Sequence, residues 1–344
     1  MRGSCSTVED VPSRILVPLA ALLALSSCAA QGGTPQPAPA PASSSPPPTT
    51  SGSAPPDPAE VGANELGSVP VLMYHRIVAK PESVYDRTPD GFRAELERLA
   101  EEGYVPVTAG RFAAGDLDVP AGAHPVVLTF DDADPSQFAL TEAGEPKPGT
   151  AVSIMQEVAE RHPEFRPVAT FFVNADPFGD PGGRRTLPWL LEHGMEIGNH
   201  TATHANLGES TPDQVRREIV ELDRLVREVG GEPSTLALPF GIQPEPPELA
   251  LHGEGYRYRG AFLVGANPSP SPYSAEFEPS GIPRIRSQSG TGPEAEVCST
   301  VWLDKLAASP SLRYVSDGVP DRISFPRAST ETVAPGLRER ARPY

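Results

Sequence analysis

Lysine is nearly absent from this chain: of 28 basic residues only Lys80, Lys147 and Lys305 are lysines. Positive charge is scarce altogether, because 45 acidic residues leave a formal net charge of -17, and that sign disfavours nucleic acid or an anionic membrane surface as a partner. Cysteine is equally sparse. Cys5, Cys28 and Cys298 are too few and too scattered for a disulfide framework or a thiolate metal cage, and Cys298 reads as a small buried apolar residue. The apolar stretch Ile15 to Leu25 is too short to cross a bilayer, which takes about 20 residues. No internal repeat is visible.

The first sixty or so of the 344 residues look non-globular. Ile15 to Leu25 fits the apolar core of a signal peptide. Leu25-Ser26-Ser27-Cys28 resembles the lipobox of bacterial lipoproteins, in which cleavage before the cysteine leaves it free for lipidation; an ordinary cleavage site near Cys28 is the alternative. Glu9 and Asp10 precede Arg14 where a signal calls for net positive charge, which suggests a start near Val8 or Val11. From Ala29 to about Gly67 the chain is rich in Pro, Ala, Ser, Gly and Thr and cannot bury a core. At about 3.1 Å per residue such a segment reaches on the order of 120 Å, as a tether holding a domain off the membrane or as a passive leader. These features predict a lipoprotein signal over 1–27, a tether over 28–67 and an extracytoplasmic protein, secreted or held to the membrane by a lipid anchor only.

Beyond the tether, strands and helices alternate. Val69 to Tyr74 is apolar on both faces, as in a strand buried within a parallel sheet. Phe92, Leu96 and Leu99 recur at helical spacing. Tyr104 to Val107, Val126 to Phe130, Val168 to Val173, Met195 to Gly198, Thr235 to Phe240 and Gly260 to Val264 read as strands. Val152 to Arg161 and Pro212 to Val229 read as helices, the latter with Thr211 as N-cap and Val215, Ile219, Leu222 and Val226 on one stripe. The alternation predicts an α/β fold, a distorted parallel barrel of about seven strands in a single catalytic domain over 68–290. Residues 291–344 are expected to be a C-terminal extension, with a helix near Val297 to Leu306 and a mobile Arg-rich end.

Polar chemistry gathers where these strands end. Asp131 and Asp132 follow one, His200 and His204 another, His75 follows the first, and Phe240-Gly241 follows a fourth; in parallel barrels catalytic groups collect at that face. If His200 to His204 is a helical turn, the two imidazoles lie on one side, near enough to share an ion. Two imidazoles and a carboxylate are ligands that a cation of the zinc type accepts, and three protein ligands leave a position for water. Adjacent carboxylates leaving a strand point in different directions, so one can bind metal while the other acts on the water. The plainer readings are two unrelated histidines and an Asp-Asp pair capping a turn. Thr201 follows His200, so the Glu of a His-Glu-x-x-His metalloprotease is missing. The segment Ala133 to Arg166 is longer than a barrel connection needs and either shapes a groove or is a flexible insertion.

Thr129-Phe-Asp-Asp132, Ala169-Thr-Phe-Phe-Val173, His200-Thr-x-x-His204 and Leu238-Pro-Phe-Gly241, in that order, resemble the signatures of the NodB-homology polysaccharide deacetylases, carbohydrate esterase family four. The resemblance covers roughly Val69 to Arg286 and implies a metal-dependent hydrolase acting on a polysaccharide with one divalent ion, of the zinc type. It implies Asp131 as general base, Asp132, His200 and His204 as metal ligands, and the backbone N–H of Phe240 as an oxyanion donor. Two departures stand out. Ala237 occupies the place where many members carry the Arg that orients the base; Arg284 in Ile282-Pro-Arg-Ile285 is the candidate replacement, and a surface arginine is the alternative. No histidine follows a late strand except His252, in an expected helix and badly placed for a general acid. His75 in Leu72-Met-Tyr-His-Arg-Ile77 resembles the N-terminal segment of a permuted subgroup, the poly-N-acetylglucosamine deacetylases, and would there protonate the leaving amine; a packed strand-end histidine is its alternative. His124, His162 and His193 read as structural or solvated. The expected activity is removal of N-acetyl groups from an N-acetylglucosamine-containing polysaccharide at the cell envelope. An O-acetyl esterase on xylan or another acetylated glycan, or a glycan-binding lipoprotein without turnover, are the rivals. The sequence names no protein partner and fixes no oligomeric state.

Overall fold

Strand β1, Val71–Tyr74, is buried at every position, which only a sheet covered on both faces permits. The computed structural model describes residues 56–344; the expected signal, Cys28 and most of the expected tether lie outside them. In chain order the elements are α1 Pro58–Val61, β1, α2 Pro89–Glu101, β2 Tyr104–Val107, α3 Ala109–Ala113, β3 His124–Asp131, α4 Ala151–Arg161, β4 Thr170–Val173, α5 Thr186–Glu192, β5 Glu196–Asn199, α6 Pro212–Glu228 and β6 Thr235–Ala237. There follow a small hairpin of β7 His252–Gly253 and β8 Tyr256–Arg257, then β9 Gly260–Phe262, β10 Ile285–Arg286, α7 Ser299–Ala308, β11 Ile323–Phe325 and β12 Ala341–Pro343.

The main sheet runs β10-β1-β3-β4-β5-β6-β9, with β2 also paired to β3, and every one of these pairings is parallel. The seven strands of this path, with β2 beside β3 as an eighth, curl into a parallel half-barrel, the α/β architecture the alternation predicts. Its edges are laced by one segment: Phe262 bridges to Ile282, the Leu263 N–H donates to Ile282 O at 2.9 Å, and Ile285 pairs with Leu72. This lacing carries Arg284 into the interior, where it is 0% exposed.

Side chains alternate across the sheet as the pleat requires. Leu72, Leu128, Phe130 and Phe171 join a core with Phe92, Leu96 and Val152, while Val71, Val127, Phe172 and Phe262 join another with Phe112, Tyr273 and Tyr314. Helix α6 starts with the reciprocal cap its sequence promises. The Thr211 hydroxyl accepts from the Gln214 N–H and the Gln214 side chain accepts from the Thr211 N–H, so the helix enters with Val215, Ile219, Leu222 and Val226 facing inward.

Three expectations give way. Packing begins before residue 68: Ala63, Asn64, Glu65 and Leu66 are buried, because Asn64 and Ser68 bridge to Val315 and Arg313. The contact at Gly67 is so close that a Cβ there would lie 2.4 Å from the Arg313 carbonyl carbon. Nor is the C-terminal end loose, since β12 pairs in parallel with β11. His252 lies in the hairpin rather than in a helix. The extension covers the amino end of the barrel: His124, the first residue of β3, donates through Nδ1 to Tyr314 O at 2.7 Å. That leaves the carboxyl end of the strands as the open face.

Candidate active site

Asp131 ends β3 fully buried, and the next residue leaves the strand with a φ of 73° at Asp132. This turn sends the two carboxylates to different partners. Asp131 meets Arg284 in a two-pronged ion pair, Nη1 to Oδ1 at 2.7 Å and Nη2 to Oδ2 at 2.7 Å. The guanidinium itself is fixed by Nε donating to Leu263 O at 2.7 Å and Nη1 to Thr129 Oγ1 at 3.1 Å, with its plane near the Phe172 ring. Burial pushes the Asp131 carboxyl up, but the charges of Arg284 and His200 and the Arg284 hydrogen bonds outweigh it and hold the group well below the usual carboxylate range. Arg284 is therefore an interior partner of Asp131 rather than a surface arginine.

Asp132 turns instead toward the histidines. Its Oδ1 lies 3.4 Å from His200 Nε2 and 3.5 Å from His204 Nε2, and the three ligand atoms lie within 4.8 Å of one another. Two donors each about 2.1 Å from a tetrahedral ion stand about 3.4 Å apart, so the spacing suits one shared cation. The tautomer suits it too. His200 Nδ1 donates to Ala237 O at 2.8 Å, and since a carbonyl only accepts, the lone pair is left on Nε2 where the other donors converge. This Asp-His-His triad is consistent with a divalent metal.

No helical turn brings the imidazoles together. Residues 200–206 form a loop in which Thr201 and His204 adopt φ of 63° and 58°. With Asp132, Ala133 and Phe240, these make a cluster of left-handed non-glycine residues around the site, a conformation that costs about 1–3 kcal/mol each and persists only where neighbours enforce it. The neighbours are visible. Asn174 Nδ2 donates to His200 O at 2.7 Å and Thr201 O at 2.8 Å, the Thr201 N–H donates to Asn199 Oδ1 at 2.7 Å, and the Ala202 N–H reaches Glu218 O at 3.1 Å. Asn199 Nδ2 in turn donates to Asp223 Oδ1 at 2.9 Å, which also accepts from Tyr258 at 2.6 Å.

The remaining expected residues fall around this centre. His75 follows β1 on the same face, close enough for the charges of Asp131 and Asp132 to pull its pKa up, though burial prevails and lowers it. The Phe240 ring packs edge-on against His204 with centroids 4.7 Å apart; its backbone φ is 58°, and its N–H has no backbone partner among the described residues. His252 is exposed in the hairpin, and His193 stacks on Trp189; neither joins the site. Of the long 133–166 segment, the first turns are structural: Gln137 Nε2 donates to Asp131 O at 2.5 Å and His75 O at 3.0 Å, tying two expected catalytic residues together. Gln137, Asn174 and the Asn199–Asp223–Tyr258 chain carry no motif. The sequence holds one sign of them, since Asp223 follows Leu222 on the buried stripe of α6 and an isolated carboxylate is rarely fully buried without partners.

A family model for polysaccharide deacetylases matches residues 118–258, which contain the whole Asp-His-His set. A chitooligosaccharide deacetylase of Rhizobium leguminosarum bv. phaseoli is 30% identical over 133 residues, 38% of this chain and 51% of that protein; one from a Bradyrhizobium strain is 28% identical over 141 residues, 40% of this chain and 55% of that protein. The chain thus spans about half the length of the curated relatives it matches. Among solved structures, a polysaccharide deacetylase from Bacillus cereus superposes with a TM-score of 0.51 at 21% identity, over 66% of this chain and 67% of that one. The Streptococcus pyogenes deacetylase solved with acetate gives 0.51 at 20% identity, over 66% of this chain and 96% of that one; these likenesses are likenesses of fold. The matched segment carries the metal-type triad on the open face of a curled parallel sheet, so residues 118–258 are similar to the polysaccharide deacetylases in sequence and hold the site on a fold of the same kind.

Proposed function

We propose that this enzyme removes N-acetyl groups from an N-acetylglucosamine-containing polysaccharide at the cell envelope, using a divalent ion of the zinc type. The observation that carries the reading is the division of labour between neighbours: Asp132 joins two imidazoles while Asp131, one residue back, is kept anionic by Arg284 and stays outside the triad. A binding module has no need of a carboxylate held ionised beside a cation site. The two curated relatives, both chitooligosaccharide deacetylases, favour an acetamide over an ester as the substrate group. Envelope location rests on the leader, the lipobox-like Cys28 and the tether in the sequence.

Asp132, His200 and His204 would hold a divalent ion, which would supply Lewis acidity to water and to the acetamide carbonyl. Asp131 takes the proton from the attacking water, its oxygens fixed in direction by the Arg284 fork. The Phe240 N–H donates to the oxyanion of the tetrahedral intermediate. His75 gives a proton to the leaving nitrogen, the carbon–nitrogen bond breaks, and acetate and a free glucosamine amine depart. Burial lowers the His75 pKa, and the charges of Asp131 and Asp132 oppose that loss of the imidazolium this step needs.

Acetate release from chitin oligomers, poly-N-acetylglucosamine, peptidoglycan and acetylated xylan, with metal chelated and restored, tests the reading. Release from an N-acetylated polymer that disappears on chelation and returns with metal is expected. Release from xylan alone would make the enzyme an O-acetyl esterase, and saccharide binding with no release from any substrate would leave only a binding protein.

A further inference from the structure

A histidine ring is ordinarily held in place by the hydrogen bond its second nitrogen makes. His200 has such a bond, to Ala237 O. His75 does not: its Nδ1 is buried and has no partner among the described residues. Its ring packs against that of Tyr85, with centroids 4.9 Å apart and planes tilted by 50°.

Tyr85 is presented by a loop that leaves the end of β1 and returns to it. The Val78 N–H donates to Arg87 O at 2.8 Å and the Arg87 N–H to Arg76 O at 2.9 Å, closing residues 78–87 at their base. Arg76 then grips the loop from within, Nε to Asp86 Oδ1 at 2.9 Å and Nη2 to Asp86 Oδ2 at 2.7 Å. Asp86 Oδ2 also accepts the N–H groups of Glu82 and Ser83 at 2.8 and 3.0 Å. The guanidinium of Arg286 lies 5.4 Å from the Tyr85 ring centre and is itself held by Glu294 at 2.7 Å and Gln288 at 3.1 Å. The tyrosine is thus fixed on a clamped loop and backed by an anchored cation, an arrangement that exposure alone does not require. It ends on a histidine whose Nδ1 has no hydrogen-bond partner among the described residues.

We propose that Tyr85 is a positioning residue for His75, setting the direction of its imidazole by ring packing in place of a hydrogen bond. The proposal rests on the reading of His75 as the group that protonates the leaving nitrogen. Its test separates the two. An aryl acetate such as 4-nitrophenyl acetate departs without a proton, whereas an N-acetylated sugar oligomer does not. Tyr85→Ala is expected to lower kcat on the oligomer about a hundredfold, the scale of an ångström-sized misplacement, with KM and aryl acetate turnover held; Tyr85→Phe is expected to keep both activities, and His75→Gln to show the same split as Tyr85→Ala. Equal loss on both substrates in Tyr85→Ala, or full oligomer activity in Tyr85→Ala beside a defective His75→Gln, overturns the role of Tyr85 and leaves that of His75. Full oligomer activity in His75→Gln overturns both. A measurement independent of turnover completes the test: in metal-free protein, modification of His75 by diethyl pyrocarbonate, followed by peptide mass spectrometry, should rise several-fold in Tyr85→Ala and stay unchanged in Tyr85→Phe. Equal rates in Tyr85→Ala and the parent protein contradict the proposal.

Discussion

Arg284 and Asp131 place two opposite charges in the interior, 0% and 1% exposed, where each depends on the other. Removing one partner of such a pair leaves the other buried and uncompensated, at a cost of about 3–5 kcal/mol. Arg284→Gln should therefore lower unfolding free energy by about that amount in urea titrations and also depress turnover, because Asp131, the proposed base, would lose its fixed direction. Arg284→Lys keeps the charge but not the two-pronged geometry and should recover stability better than activity. Asp131→Asn is the complementary change. It should retain metal, measured by equilibrium dialysis, while losing about 10²–10⁴ in kcat, the usual contribution of a general base; His200→Ala should lose metal and activity together. Undiminished activity in Asp131→Asn would reject Asp131 as the base. At this scale the sequence is informative: Asp131, Asp132, His200 and His204 follow strands and keep a recognisable spacing, and Arg284, just before β10, could be matched to Asp131 through the vacancy at Ala237. Gln137 and Asn174 were not legible, because their work is to hold backbone carbonyls whose positions no residue pattern encodes.

At the scale of elements, the histidine loop depends on what supports it. Its left-handed residues are enforced by side chains from β4's end, β5 and α6, namely Asn174, Asn199 and the Glu218–Asp223 face. Groups that orient metal ligands in this way typically affect metal affinity by about 10–100-fold. Asn174→Ala is expected to weaken metal binding within that range in a competition titration while leaving far-ultraviolet circular dichroism unchanged; unaltered affinity would assign the loop's shape to other contacts. The strands and the long helices were readable because burial on both faces and a 3.6-residue stripe leave direct marks in composition. The His200 to His204 turn was not. The spacing of four residues suits a helix, but Thr201 and His204 take positive φ under tertiary constraint, and local preference has no voice there. The left-handed turn at Phe240 likewise ends β6 at Ala237, earlier than the apolar run suggests.

At the scale of the whole molecule, the first described segment and the C-terminal extension are joined through one buried carboxylate. Glu65 Oε2 accepts from the Ser324 N–H at 2.7 Å, and Oε1 from Tyr314 Oη at 3.1 Å and the Asp317 N–H at 3.4 Å. Burial, aided by the charge of Asp317 and opposed by the Ser324 hydrogen bond, raises the Glu65 pKa from 4.5 to about 7. A carboxyl with a raised folded-state pKa binds its proton more tightly when folded, so its stabilisation is complete below about pH 4.5 and is lost as pH rises through about 7. The loss is on the order of 3 kcal/mol for a shift of this size. Unfolding free energy should accordingly decline between pH 5 and 8 in the parent protein and decline less in Glu65→Gln, measured by denaturant titration at matched ionic strength; parallel declines would contradict the role given to Glu65. The sequence could not foretell this closure, since a Pro- and Gly-rich approach to the first strand and an Arg-rich end give no periodic signal of packing against each other. The proposed hydrolysis requires a single cation gripped by three side chains beside a fourth that stays outside the triad. Anomalous diffraction from crystals of the zinc-loaded protein measures that directly. One ion about 2.0–2.2 Å from Asp132, His200 Nε2 and His204 Nε2, with Asp131 still paired to Arg284, is the predicted result; an ion absent from that position, or one that takes Asp131 as a ligand, would contradict it.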